Sequence, residues 1–168
     1  MKQDDFDFIE RELNIKLPES YKKIALEAKL AKLDRAECFY DDPQKLVEMN
    51  KRLRKRGLHG KSWKDNHFAF SYEKDGGAYH FIDLDVEDGE VYLARPAKSW
   101  RYSPEDLSNN ERLMKLSGYI NFWYKLIMLR LNPTPTTSDE EFQRKLNECY
   151  EEINRICEEN RKKMELDK

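Results

Sequence analysis

In the middle of this chain the apolar residues stop recurring every three or four positions and begin to alternate. They do so in three successive runs. In the run 67–72, Phe68, Phe70 and Tyr72 point one way. The second run covers 78–84 and the third 90–94. The junctions contain Asp75-Gly76-Gly77 and Asp88-Gly89. Period-two runs joined by Asp-Gly steps read as an antiparallel meander, with Gly taking the positive φ such turns require. This constraint makes the centre a sheet and leaves the flanks to cover it.

The flanks have helical spacing. Phe6, Ile9 and Leu13 form one stripe, with Asp4 and Asp5 in the first turn where the helix dipole favours acids. The period breaks at 14–17, Pro18 opens a second helix, and Tyr21, Ile24, Ala25, Ala28 and Leu33 can face inward. Residues 37–40 are a short apolar patch, read as a possible edge strand. Asp42-Pro43 is a helix start, Leu46, Val47, Met49 and Leu53 form its buried stripe, and Gly57 ends it behind Arg54, Lys55 and Arg56. After Ser103-Pro104, a long helix is expected around 113–131, with Ser117-Gly118 as a point where it could split; its apolar face should pack across the sheet. Residues 132–137 are a Pro/Thr linker. The tail 138–168 is an amphipathic helix with a Ser138/Glu141 capping box. Its apolar residues Phe142, Leu146, Cys149, Ile153 and Ile156 recur at spacings of four and three, a coiled-coil-like seam. That seam can fold back on the domain or pair with another helix, including another copy. The expected organisation is therefore a domain over 1–131, a linker over 132–137 and a helix over 138–168.

Composition bounds the function. Of 168 residues 38% are charged, but 31 basic and 33 acidic residues nearly cancel, which argues against a general nucleic-acid binder. The chain shows no secretory signal and no apolar run of membrane-spanning length. Cys38, Cys149 and Cys157 are scattered and form no CxxC, as expected of free thiols in the cytoplasm.

Chemical motifs are weak. His67 and His80 would lie on neighbouring strands, and with Asp83 or Asp85 would make a ligand set, but the short paired spacings of zinc sites are absent. The run 83–89 resembles a calcium loop but has Arg95 where the bidentate Glu belongs. Gly76-Gly77 lacks the Lys and Ser/Thr of a phosphate loop. No nucleophile motif occurs, so neither catalytic residues nor a metal or cofactor are expected. A basic stretch, Lys51, Arg52, Arg54, Lys55, Arg56, Lys61 and Lys64, includes Trp63, a side chain that can stack on a base. Trp63, Trp100 and Tyr102 flank the meander, as core caps or as interface anchors.

The segment 8–23 fits the pattern E-x-x-L-G/N-I-x-L-P-x-x-Y-K, with Leu17, Pro18 and Tyr21 in the matching places. The segments 69–84 and 89–92, with Gly76, Gly77, Asp83, Gly89, Val91 and Tyr92, are similar to hairpins of the same family. Over about residues 4–131 the chain resembles the SUKH superfamily in its Smi/Knr-type branch; the tail from Ser138 lies outside the pattern. The resemblance implies an α+β domain, a twisted and mainly antiparallel sheet packed by N-terminal and C-terminal helices. It also implies a non-catalytic, protein-binding role. Bacterial relatives look like cytoplasmic immunity proteins that neutralise toxins, often nucleases; eukaryotic relatives look like scaffolding regulators. On the first reading Asp83, Asp85, Glu87 and Asp88 offer an acidic surface to a basic toxin, with Trp63, Trp100 and Tyr102 as further contacts. On the second, a regulatory or scaffold module acts through its surface and tail helix.

Overall fold

The computed structural model describes residues 1–27, 40, 42–58, 60–73, 77–94, 102–107, 110–119, 122 and nine positions between 141 and 162. Trp100, Cys38, His59, residues 37–39, Asp75-Gly76, the linker and the apolar positions of the tail seam lie outside them. The fold is α+β, with helices α1 (Gln3–Leu13), α2 (Glu19–Glu27) and α3 (Pro43–Arg56) preceding four strands. These are β1 (His67–Glu73), β2 (Ala78–Asp83), β3 (Glu90–Ala94) and β4 (Glu111–Lys115), joined in sequence order as an antiparallel meander.

The turn between α1 and α2 shows why the opening sequence reads as it does. Asn14 ends α1 in the left-handed conformation (φ 51°), which Asn tolerates better than most residues. Glu10 reaches across the turn to accept the Leu17 N–H at 2.7 Å and to pair with Lys22 at 2.9 Å. Burial pushes the Glu10 carboxyl up, but Lys22 and the Leu17 N–H outweigh it and hold the group below the usual range. Leu13, Leu17 and Tyr21 all enter the core. Each residue type in the pattern E-x-x-L-N-I-x-L-P-x-x-Y-K thus has a packing or capping task here.

Helix α3 starts and stops where its sequence indicates. Asp42 accepts hydrogen bonds from the Gln44 and Lys45 N–H groups at 3.0 and 3.2 Å, and Gly57 ends the helix at φ 65°. A Cβ on Gly57 would run into the Lys61 carbonyl, so the position demands glycine for both reasons.

Pairing between β1 and β2 slips by one residue between Ala69 and Ser71, which leaves Phe70 as a bulge. The slip moves the side chains beyond it to the other face. One face carries Phe68, Ser71, His80, Ile82, Val91 and Leu93, and meets Tyr21 of α2 and Tyr119. The opposite face carries His67, Ala69, Tyr72, Tyr79, Phe81 and Tyr92. It is covered by Trp63 from the loop before β1 and by Tyr102 from the β3–β4 connection.

The outer edge of β1 is sealed from α3. Asn50, fully buried, donates to the Ala69 carbonyl at 2.7 Å and accepts from the Ala69 N–H at 2.9 Å. Its amide thus replaces the peptide group of a neighbouring strand. The Trp63 indole N–H donates to the His67 carbonyl at 2.8 Å, and the Tyr40 N–H donates to the Phe70 carbonyl at 2.9 Å. That last bond puts Tyr40 beside the sheet edge, where residues 37–40 were expected to lie.

Two expectations are corrected. Residues 111–115 form β4, not the start of a long helix; helix begins at Leu116, and Leu116 to Tyr119 and Phe122 are helical among the described residues. Glu-Arg-Leu-Met-Lys has strong helix propensity, but the open edge of β3 offers a backbone ladder and an Arg112–Glu90 ion pair at 3.3 Å. In the β2–β3 turn the left-handed residue is Asp88 (φ 46°), not Gly89. The described tail positions are helical, with exposed Arg144–Glu148 and Arg155–Glu159 pairs four residues apart.

Replacing Asn50 by Leu keeps the branching of the side chain but strands the Ala69 N–H and C=O away from water. We expect a loss of about 2–6 kcal/mol, since each of the two buried unpaired groups costs about 1–3 kcal/mol. Urea unfolding of Asn50→Leu against the parent chain measures it; an unchanged midpoint would contradict the edge-sealing role.

Candidate functional site

Three regions bear on function. The first is the sheet face opposite Tyr21 and Tyr119. Trp63 stacks on Tyr102 with ring centres 4.5 Å apart, and Phe81 lies 5.1 Å from both Trp63 and His67. Trp63 is 4% exposed and Tyr102 1%, so both serve as core, and neither presents a surface to a partner or a base. Asn110 holds the loop that delivers Tyr102, accepting from the Ser103 N–H at 2.9 Å and donating to its carbonyl at 2.8 Å.

His67 sits inside this layer, its Nδ1 2.7 Å from the Tyr102 hydroxyl. Burial pushes His67 down to about 4, against the pull of Asp83, and Lys64 adds to the depression. Burial likewise pushes Tyr102 up to about 12. The Lys64 N–H donates to the Tyr102 oxygen at 3.1 Å, which leaves the phenol O–H to donate to a neutral imidazole. His80 lies on the other face, with Nδ1 2.9 Å from the Ser71 hydroxyl. The two histidines are therefore separated by the sheet and cannot share a ligand. Among the described residues no group of three His, Cys, Asp or Glu side chains is placed to hold a metal ion.

The second region is the acidic turn between β2 and β3. Its four acids have different tasks. Asp83 accepts from the Asp85 N–H and the Asn66 amide, each at 3.0 Å, and the same amide reaches Asp85 at 2.8 Å. Glu87 accepts from the Glu19 and Ser20 N–H groups at 3.2 and 2.5 Å and so caps α2 from a distant part of the chain. The Ser20 hydroxyl and N–H hold the Glu87 carboxyl below its usual range. Asp88 accepts from the Ser117 N–H at 2.9 Å and its hydroxyl at 3.0 Å, capping the turn after β4. Between them Val86 stands 49% exposed, one of two large apolar side chains so exposed among the described residues. Asp85 and Glu87 are exposed on either side of it. These caps were not visible in the sequence, because they join residues 29 to 68 positions apart.

The third region is α3 with the adjoining sheet edge. Four of the seven cations between Lys51 and Lys64 are engaged. Lys51 pairs with Glu12 at 2.7 Å, Lys64 with Glu105 at 3.4 Å, and Arg54 donates to the Leu13 and Asp65 carbonyls at 2.6 Å. Arg52 instead donates to the Tyr79 hydroxyl at 3.0 Å. Beside it opens a cleft of about 270 Å³ lined by Tyr40, Lys45, Glu48, Met49, Arg52 and Tyr72. Sequence reasoning missed the cleft, because Tyr72 and Arg52 meet only once α3 lies along β1.

No helix among the described residues is long and apolar enough to cross a membrane. No family model, curated protein or solved structure matches the chain.

Two tests follow from this geometry. Between pH 6.5 and about 4 the unfolded chain binds a proton that folded His67 refuses, so stability falls as pH falls through that window. The contribution is at most about 1.4 kcal/mol per pH unit. Glu10, Glu12 and Glu87, whose carboxyls are held low, lose their contributions only below about pH 4.5. Urea midpoints at pH 7 and pH 5 should therefore converge in His67→Gln relative to the parent; parallel curves would remove His67 from the account. Separately, Asp88→Ala should lower the melting temperature by several degrees, from lost caps and a strained left-handed Ala. Asp85→Ala should change it little, and equal effects would contradict the division of labour in the turn.

Proposed function

We propose that this chain is a non-catalytic, protein-binding domain of the SUKH type, acting in the cytoplasm as an immunity protein that neutralises a toxin by direct contact. The observation that carries the reading is the β2–β3 turn, where exposed Val86 stands between exposed Asp85 and Glu87. Glu87 and Asp88 are bonded into α2 and the turn after β4, so this acidic knob is fixed before any partner arrives. A fixed knob avoids ordering cost on binding, and its charge favours rapid encounter with a basic, nucleic-acid-handling toxin. The antiparallel meander and the Glu10-centred turn, which carry the family resemblance, support the same reading. The scaffold alternative, with the tail helix pairing to another protein or another copy, draws on the spacing of the tail seam.

The experiment is co-expression with a candidate nuclease toxin sought among the genes that neighbour this chain's own. The parent chain should restore growth. The double variant Asp85→Lys, Val86→Asp should lose protection while keeping its melting temperature, because neither side chain caps a helix. Growth arrest as rapid with the parent chain as without it would reject the immunity reading.

A further inference from the structure

A second region of unsatisfied chemistry lies along α3 and the loop that follows it. Of the cations between Lys51 and Lys64, Arg52, Lys55, Arg56 and Lys61 are exposed and have no carboxylate partner among the described residues; Lys45 is in the same state. Lys45, Glu48 and Arg52 follow one another three and four positions apart along α3, and Lys55 and Arg56 lie three and four positions beyond Arg52, so they form one stripe. Under that stripe lies the cleft, floored by buried Met49 and walled by half-buried Tyr40 and Tyr72. Tyr72 is braced by Tyr79, ring centres 4.7 Å apart, and Tyr79 is in turn held by Arg52. A row of cations beside a small aromatic-and-thioether recess has the make-up of an interface anchor site, where Arg and Tyr are over-represented.

We infer that the α3 stripe and its cleft are a docking site for an acidic segment of a partner protein, with one apolar or aromatic side chain entering over Met49 and Tyr72 while neighbouring carboxylates meet Arg52, Lys55 and Arg56. Charge complementarity selects that occupant. The chain as a whole carries a net charge of −2, so five exposed cations with no carboxylate partner among the described residues, on one helix and the loop after it, are a local excess. Glu48 sits between Lys45 and Arg52 on the stripe, where it would repel a uniformly anionic nucleic acid but can accept from a donor on a polypeptide. Trp63, the one side chain of the basic stretch suited to base stacking, is buried under Tyr102. The site is distinct from the Val86 knob, so its failure leaves the immunity reading standing, and the reverse holds too.

The test is fluorescence anisotropy with the full-length chain at low salt, using a labelled random copolymer of Glu and Tyr as probe. Polyglutamate and an oligothymidylate serve as comparisons. The copolymer should bind more tightly than polyglutamate, and both more tightly than the oligonucleotide. Arg52→Glu should weaken copolymer binding about tenfold or more, and Lys45→Glu should weaken it in the same direction. Lys115→Glu, an exposed cation on the far strand, should leave it within about twofold. Absence of copolymer binding, equal loss in Lys115→Glu, or preference for the oligonucleotide would each overturn the site. Sedimentation velocity covers the remaining occupant: an oligomer of the parent chain that Arg52→Glu converts to monomer would assign the stripe to a second copy instead.

Discussion

Asn50 makes the helices and the sheet one body. An edge strand exposes a row of backbone donors and acceptors that must find water, a neighbour or a foreign strand. Here the edge faces α3, where water is excluded, so the groups of Ala69 need partners from the helix itself. A carboxamide is the only uncharged side-chain group that supplies donor and acceptor in the spacing of a peptide. Its place on α3, one turn beyond Leu46 and between Met49 and Leu53, fixes both the axial position and the rotation of the helix against β1. Everything on that side of the molecule inherits this registration, including the Arg52–Tyr79 contact and the cleft beside it.

The β2–β3 turn performs a similar task at the other end of the sheet by different means. Its carboxylates accept from backbone N–H groups at the start of α2 and after β4, so a hairpin turn becomes the anchor for two distant segments. This explains why Asp occupies the left-handed position where Gly would be free of strain. Gly would relax the backbone but supply nothing for Ser117. The same economy leaves Asp85 and Val86 as the members of the turn with no helix to cap.

Much of this was legible in the sequence, where signals were local. Alternation in 67–72, 78–84 and 90–94 marked three strands; Asp42-Pro43 and Gly57 marked the ends of α3; Leu13, Leu17 and Tyr21 marked buried positions. What stayed hidden depended on contacts between distant residues. The strand at 111–115 has the composition of a helix and becomes a strand only because β3 has an open edge. The Phe70 bulge reverses the parity of β1, which no count of alternating residues reveals, and it is one reason His67 and His80 end on opposite faces. Trp63 and Tyr102, equally suited by type to a surface or a core, were decided by Asn110 and the loops that lay them on Phe81. Asn50 itself was visible only as a polar residue in an apolar stripe.

A near-zero net charge also conceals how charge is distributed. The acidic knob follows Asp83 at one end of β2, and the tyrosine wall of the cationic cleft adjoins Tyr79 near the other. Four residues of strand separate them, roughly 13 Å at about 3.3 Å per residue. That exceeds the Debye length of about 8 Å at physiological salt, so the carboxylates of the turn and Arg52 beside the cleft are largely screened from one another although the sum is −2. A partner with a basic patch and one with an acidic segment are then steered to different ends of the same rigid sheet. Because α3 is registered by Asn50 and the turn by Glu87 and Asp88, binding at one end would not need to disturb the other.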